Sequence, residues 1–194
     1  RDGKRSFREG RPRSATRVFE GEHSSAPQRP FAIVLGCSDS RTPVEILFDQ
    51  GFGDLFVVRV AGNVVAPSIV GSIEFAAAQF GARLVVVMGH THCGAVAATL
   101  HALATGMGPE SANIRSLIDR IGPHVAPLLR GASPGELSPE LAREAVRANV
   151  RAAADHLRHG SRLLEELILA GELAVVAAEY ELETGTVVFL DELP

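Results

Sequence analysis

The chain has two cysteines, Cys37 and Cys93, and each follows an apolar run and has another potential zinc ligand nearby. Cys37 stands two residues before Asp39, and Cys93 stands three residues after His90. Thiolates and imidazole are ligands that zinc prefers, and two cysteines, one histidine and a replaceable fourth position form the pattern of a catalytic zinc site. If these side chains converge, the sequence predicts a zinc centre with Asp39 as a fourth ligand or a close neighbour.

Asp39 also stands two residues before an arginine, Arg41. Just beyond a strand end, alternate residues can point the same way, so Cys37, Asp39 and Arg41 could share one face. Arg41 could then bind the carboxylate through a bidentate ion pair, in competition with the metal. This competition predicts a switch, in which Asp39 closes the site when it ligates zinc and leaves room for water when Arg41 holds it.

The second cysteine lies at or near the start of a predicted helix. The positive end of a helix lowers the pKa of a thiol and favours the thiolate that zinc requires, while Gly94 gives the backbone room to approach the metal. His92 lies in the same turn and could shuttle protons, although an exposed histidine in a turn is usually only solvated.

Two alternatives require no catalysis. Both cysteines could be buried packing residues, with His90 a core histidine. A structural site of two cysteines, one histidine and one aspartate is the other alternative. Structural sites usually use closely spaced ligand pairs to hold small folds together, which a chain with this much apolar core does not need.

The elements that would position these residues alternate between strands and helices. Apolar runs predict strands at Phe31–Gly36, Leu55–Val60, Leu84–Met88, Leu173–Tyr180 and Thr186–Leu190. Apolar spacing, caps and Gly or Pro signals predict helices at Pro43–Phe48, from Pro67 to Gly81, from Cys93 toward Gly106, and at Ser111–Ile121, Ser138–His159 and Ser161–Ala170. The pattern predicts an α/β fold, a central mostly parallel β-sheet with an antiparallel edge, covered by α-helices. Both cysteines would lie at the carboxyl edge of that sheet, where ligands collect.

Length and composition predict one domain preceded by an arm. The chain has 194 residues, 46% of them apolar, and a mean hydropathy of +0.14, which excludes a disordered chain. Residues 1–30 are polar and broken by Gly and Pro, so we expect an N-terminal arm, with a helical remnant, that packs between subunits. Residues 31–194 would form the zinc-dependent catalytic domain. The first 17 residues hold seven basic and two acidic side chains but one aromatic residue, which favours such an arm over a nucleic-acid contact.

We expect a cytoplasmic protein that binds neither membrane nor nucleic acid. The apolar runs are too short to span a bilayer, and the first thirty residues contain no apolar segment typical of a signal peptide, although the chain begins with Arg rather than Met. Two cysteines in ligand-like contexts favour a reducing compartment over a disulfide framework.

The motifs of the chain resemble, in order, those of the β-class carbonic anhydrases. The resemblance runs from about Gln28 to Leu190 and rests on Cys37-Ser-Asp-Ser-Arg41, Phe48-Asp-Gln-Gly51, Asp54-Leu-Phe-Val-Val-Arg-Val-Ala-Gly-Asn63, Gly71-Ser-Ile-Glu-Phe75, Gly89-His-Thr-His-Cys-Gly-Ala95 and Tyr180-Glu-Leu-Glu-Thr-Gly185. It implies that Cys37, His90 and Cys93 bind Zn²⁺ and that Asp39 and Arg41 form a catalytic pair. It also implies an obligate homodimer, or a tetramer, with active sites at the subunit interface.

The same resemblance implies a set of substrate-binding residues. The family places a substrate-contacting Gln nine residues before its first cysteine ligand, where this chain has Gln28. Phe56 would line the CO2 pocket, with Ala61 in a small apolar place beside it and Gly94 in the same pocket. Phe75 stands where the family usually has Tyr, so a hydroxyl group is missing there.

The activity implied is the reversible hydration of CO2 to bicarbonate and a proton. A zinc-bound hydroxide would attack CO2 in an apolar slot, while Asp39 orients the hydroxide and Gln28 holds a substrate oxygen. One rival is a hydrolase of CS2 or COS on the same zinc site, which parallel assays on both substrates would separate. The other is a non-enzymatic zinc-binding protein in which Asp39 never leaves the metal, but such a protein would not need Arg41, Gln28 or an apolar pocket.

Position 34 bears on the subclass. The subclass with an inhibitory bicarbonate pocket carries Trp three residues before the first cysteine ligand, whereas this chain has Val34. The resemblance therefore implies the plant-type subclass, without that pocket.

Overall fold

The computed structural model of the protein describes residues 27–131 and 137–191, so most of the expected N-terminal arm lies outside the described residues. Five strands form one sheet, in the order β2-β1-β3-β4-β5. They are β1 (Ala32–Gly36), β2 (Leu55–Arg59), β3 (Leu84–His90), β4 (Ala174–Glu181) and β5 (Thr186–Phe189). The first four run parallel and β5 pairs antiparallel to β4, which confirms the predicted fold class.

Six α-helices accompany this sheet in the described part of the chain. They are α1 (Val44–Phe48), α2 (Pro67–Phe80), α3 (Gly94–Thr105), α4 (Ala112–Val125), α5 (Pro139–His159) and α6 (Arg162–Leu169), with 3₁₀ turns at Ala61–Asn63 and Ala126–Gly131. Side-chain oxygens cap three helices by accepting a backbone N–H from three residues ahead, at Ser111, Ser138 and Ser161. None of the helices in the described ranges is long and apolar enough to cross a membrane.

Two elements are longer than predicted. β3 extends two residues beyond Met88 because its pairing with β4 continues as far as His90 opposite Tyr180. His90 is therefore the last residue of a strand rather than part of the following turn. α4 continues past Ile121 to Val125, because both of these side chains are fully buried and this tertiary packing outweighs the local signal of Pro123.

The two faces of the sheet pack differently. One face carries the larger core beneath α2 to α6, with Ile33, Val85 and Ala177 among its strand residues. On the other face, Val34, Met88 and Ala178 cluster with Val44 and Leu47 of α1. Side chains from both faces of β1 and β3 are buried, which explains the continuous apolar runs in these strands.

Gly89 allows α5 to lie close against the carboxyl end of β3. A Cβ atom at this position would lie 2.4 Å from Cγ2 of Val150 and 3.1 Å from Cγ1 of Val146, both on α5. A larger residue would push the helix outward. This close approach brings α5 next to the strand end that carries His90.

Candidate metal centre and active site

The three predicted metal ligands converge. Cys37 directly follows β1, His90 ends β3 and Cys93 directly precedes α3. β1 and β3 are parallel neighbours, so their carboxyl ends lie side by side. The ligand atoms of the three residues lie within 4.8 Å of one another, and all three residues are buried. The three side chains therefore form a single cluster in which one metal ion could be held.

The hydrogen bonding of His90 leaves one ring nitrogen available as a ligand. Nδ1 lies 2.8 Å from the carbonyl oxygen of Thr91, which can only accept, so Nδ1 carries the proton. Nε2 is buried and has no hydrogen-bond partner among residues 27–131 and 137–191. One buried imidazole nitrogen and two thiols within 4.8 Å of one another form a donor set that zinc fits.

A hydrogen bond between the two thiols moves their pKa values in opposite directions. Neither cysteine forms a disulfide. The pKa of Cys37 is lowered, chiefly because the Cys93 thiol donates a hydrogen bond to it, with a smaller contribution from the N–H of Gly62 at 3.3 Å. The same hydrogen bond, together with burial, raises the pKa of Cys93. A divalent cation would displace the remaining proton, so metal binding should release it.

Asp39 is held by Arg41 beside this cluster. Arg41 Nε donates to Oδ1 at 2.9 Å and Nη2 donates to Oδ2 at 2.8 Å, while the backbone N–H of Arg41 also donates to Oδ1 at 2.9 Å. The Arg41 guanidinium holds the pKa of Asp39 well below its usual range. Oδ2 lies 3.8 Å from Nε2 of His90, close to the cluster but bound to Arg41. This is the arrangement that the predicted switch associates with room for water.

Two residues that sequence reasoning missed fix the loop between Cys37 and Asp39. Arg59, the last residue of β2, donates from Nε to the Cys37 carbonyl at 2.8 Å and from Nη2 to the Asp39 carbonyl. Thr42 is buried and its hydroxyl donates to the Asp39 carbonyl at 2.9 Å. The sequence did offer one signal for Arg59, because a charged residue at the end of an apolar strand needs a partner at that end of the sheet.

The loop between β3 and α3 is held from the β4–β5 turn. Glu183 accepts a hydrogen bond from the Thr91 hydroxyl at 3.0 Å, and its other oxygen contacts Nε2 of His92. His92 is exposed, as expected of a turn histidine, and has a left-handed φ of 57°. Its carbonyl accepts a hydrogen bond from Arg41 at 3.4 Å, which links the loop to the Asp39–Arg41 pair. Glu183 was not predicted, because its partners are more than ninety residues away in sequence.

Two of the predicted substrate-binding residues lie at the cluster. Ala61 directly precedes Gly62, whose N–H contacts the Cys37 sulfur, and Gly94 directly follows Cys93. A Cβ at Gly94 would meet no atom within 4 Å, so the space beside it is open within this chain. The expectation that Gly94 serves a close backbone approach stays a prediction.

The other predicted substrate-binding residues lie elsewhere. Phe56 pairs with Ile33, four residues before Cys37 on the neighbouring strand, which places it about 13 Å back along the sheet. Phe75 packs against Phe56, with ring centroids 6.4 Å apart.

Gln28 also lies away from the cluster. Its Cα is 3.9 Å from the position a Cβ would take on Gly53, just before β2 begins. The amino ends of β1 and β2 lie at that edge of the sheet, opposite the edge that carries Cys37. Within one chain, the structure therefore separates Gln28, like the two phenylalanines, from the metal ligands.

Comparison with known proteins gives a consistent result. A family model described as carbonic anhydrase matches residues 32–187. Carbonic anhydrase 2 of Mycobacterium tuberculosis is 37% identical over 196 residues, which cover all of this chain and 90% of that protein. The carbonic anhydrase of Mycolicibacterium smegmatis is 41% identical over 188 residues, covering 96% of this chain and 88% of that protein.

Solved structures with the same fold carry the same class name. The β-carbonic anhydrase CcaA has a TM-score of 0.79 and 26% identity, over 98% of this chain and 92% of that one. A structure from the work on two tetrameric β-carbonic anhydrases of Sordaria macrospora has a TM-score of 0.74 and 23% identity, over 87% and 84% of the two chains, which shows the shared fold. With a family match over residues 32–187 and relatives at 37% and 41% identity along nearly its whole length, the chain belongs to the β class of the carbonic anhydrases, which catalyse the hydration of CO2.

Proposed function

We propose that this chain catalyses the reversible hydration of CO2 to bicarbonate and a proton, with Zn²⁺ held by Cys37, His90 and Cys93. The observation that carries the proposal is the convergence of these three buried donors, with Asp39 held beside them by Arg41. Zinc bound at such a site acidifies a water molecule and so supplies hydroxide near neutral pH.

Asp39 and Arg41 act together in this proposal. With zinc bound, the Asp39 carboxylate would accept a hydrogen bond from the hydroxide and so orient it toward the CO2 carbon. Arg41 supplies three hydrogen bonds to that carboxylate and keeps it from taking the water position. Arg59 and Thr42 hold the backbone of the same loop, so the carboxylate has little freedom to drift.

The substrate pocket is completed by a second subunit. Within one chain, Phe56 lies about 13 Å from Cys37 along the sheet, Phe75 packs against Phe56, and Gln28 lies at the opposite edge of the sheet. In a symmetric dimer, the partner subunit's Gln28, Phe56 and Phe75 would face the metal cluster, where they would meet this chain's own Ala61 and Gly94. The exposure of Phe75, 52% in the isolated chain, supports this assignment. Either a homodimer or a tetramer built from such dimers satisfies the requirement.

Two finer proposals follow from the same residues. Val34 is buried in the core between β1 and α1, which supports a chain of the plant-type subclass without an inhibitory bicarbonate pocket. Two free, buried cysteines arranged as metal ligands support a reducing, cytoplasmic location.

The test compares two histidine variants by metal analysis and stopped-flow CO2 hydration. His90→Gln should lose bound zinc and activity, because its Nε2 is the ligand atom. His159→Gln is the matched control, since His159 is exposed and pairs with Asp155 on α5, so zinc content and rate should be unchanged. A wild-type protein that keeps its rate after complete zinc removal by a chelator would refute the proposal.

A further inference from the structure

The Cys37 sulfur receives a hydrogen bond from a residue outside its own loop. The N–H of Gly62, in the turn after β2, donates to Sγ at 3.3 Å. Gly62 has a left-handed backbone, with φ 67° and ψ 20°, and a Cβ there would lie 2.8 Å from Cδ1 of Ile121 and 3.1 Å from Cβ of Ala95. Only glycine adopts this conformation in this space without strain, and the conformation aims the N–H at the sulfur.

The carbonyl of the same glycine is held by Asn149. The Asn149 side chain donates from Nδ2 to Gly62 O at 2.8 Å, and the residue is only 3% exposed. It lies on α5, next to Val150, which packs over Gly89. The close approach that Gly89 permits therefore brings a buried amide from α5 to the turn that contacts the metal ligand.

A hydrogen bond to a ligand sulfur changes the metal as well as the sulfur. The N–H withdraws electron density from the thiolate and weakens it as a donor, so the metal keeps more positive charge. The formal charges of two thiolate ligands cancel that of Zn²⁺, whereas three neutral imidazoles leave it unchanged. A hydrogen bond that weakens thiolate donation therefore has a larger effect on the charge of the metal at a site with two thiolates.

We propose that Asn149 is a positioning residue that, by holding the Gly62 carbonyl, fixes the backbone conformation of that glycine, keeps its N–H directed at Cys37 Sγ and thereby sets the donor strength of that ligand. The proposal rests on the metal site proposed above and extends it to a residue that is not itself a ligand.

Two substitutions separate the hydrogen bond from the packing. Asn149→Leu keeps most of the side-chain volume and removes the donor, whereas Asn149→Ala removes both. Ser161→Ala is the matched control: Ser161 is also buried, caps α6 through Leu164 N at 3.2 Å and donates to Glu74 at 2.6 Å. Its hydrogen bonds reach neither the Gly62 turn nor the Cys37 loop.

The primary readout is the absorption spectrum of the cobalt-substituted protein, in which thiolate-to-cobalt charge transfer reports the energy of the sulfur lone pairs. Both Asn149 variants should shift this band to longer wavelength, because the lone pairs rise in energy when the hydrogen bond is lost. Their CO2 hydration near neutral pH should fall by roughly tenfold or more, as expected for an outer-sphere partner of a metal ligand. Ser161→Ala should leave the band unchanged.

An unshifted band in both Asn149 variants, or an equal shift in Ser161→Ala, would overturn the proposal. Cadmium NMR of the wild-type protein needs no substitution and should show coupling between the metal and the Gly62 amide proton; its absence would also overturn the proposal. Failure of the metal site itself looks different, because wild-type protein would then show no thiolate-to-cobalt band at all.

Discussion

The carboxyl end of the sheet and the β2–α2 region differ in how far their side chains are buried and held by contacts within one chain. At the carboxyl end, Cys37, His90 and Cys93 are buried, and Asp39 is held in place by three hydrogen bonds. In the β2–α2 region, by contrast, the side chain of Phe75 is half exposed.

The second region is a surface that residues 27–131 and 137–191 leave partly exposed. Phe56, Phe75 and Phe80 form an aromatic cluster, with ring centroids 5.5 to 6.4 Å apart. Such a surface is typical of a subunit interface, because the burial of exposed aromatic groups against a partner stabilises the assembly. The difference supports the proposal that one chain carries all three candidate metal ligands but only part of a substrate pocket.

The largest effect is expected from removing a ligand in the first region. Cys93→Ser should lose zinc and reduce CO2 hydration by roughly 10³-fold or more, because most of the catalytic acceleration depends on the metal. Zinc content and stopped-flow rates measure both quantities. Phe75→Leu, in the second region, is the control and should keep near-stoichiometric zinc. Full activity and full zinc in Cys93→Ser would remove this cysteine from the ligand set.

Arg41→Ala tests the pairing that keeps the first region open. Without Arg41 the Asp39 carboxylate competes for the water position, so we expect a loss of roughly 10²-fold across the pH range. Wild-type activity should rise from about pH 6 to about pH 9 as water gives way to hydroxide. Asp39 does not cause this rise, because Arg41 lowers its pKa and keeps it ionised throughout that window.

The same lowered pKa fixes the sign of a stability effect. The Asp39–Arg41 pair contributes stability above the usual pKa of Asp, and this contribution is lost only as pH falls into the acid range. The difference in unfolding free energy between wild type and Arg41→Ala should therefore be constant from neutral to alkaline pH, which denaturant unfolding at several pH values measures.

The rate experiment has its own contradicting outcomes. A flat wild-type rate profile, or a fully active Arg41→Ala protein, would contradict the switch.

Subunit mixing tests whether the second region serves the partner's metal site. Gln28→Leu should keep zinc but lose roughly tenfold or more in rate, since a polar contact to substrate is gone. Reassociated with an equal amount of Cys93→Ser protein, it should form mixed dimers with one intact site. Activity should then recover to about a quarter of wild type, because half of the dimers are mixed and each has one working site of two.

The mixing experiment distinguishes the two geometries directly. If Gln28 acted on the metal of its own chain, no mixed dimer would contain an intact site, and the mixture would show only the average of its parents.

The smallest effect is expected from restoring the hydroxyl group that the family usually carries in the second region. Phe75→Tyr should change the rate by no more than about fivefold, the range of one hydrogen bond, and should leave zinc content unchanged. Steady-state hydration rates measure it, with Phe80→Tyr as a control at a neighbouring ring of the same cluster. A change of two orders of magnitude would mean that the hydroxyl reaches the reacting atoms.

The sequence by itself determined at which strand ends the candidate metal ligands lie. Apolar runs end at Cys37 and near His90, and parallel strands bring their carboxyl ends to one edge, so the ligand cluster followed from local patterns. The pairing of Asp39 with Arg41 was equally accessible, because two residues of separation limit where the side chains can go.

Only the tertiary structure decided which distant groups support that cluster and which residues lie outside it. Glu183 reaches His92, and Asn149 reaches Gly62, across sequence separations that no local pattern records. Whether Gln28 lies beside Cys37 or at the opposite edge of the sheet likewise depends on how β1 and β2 pair. Spacing along a chain constrains neighbours within a turn or strand, whereas contacts between elements are set by packing, which the sequence encodes only collectively.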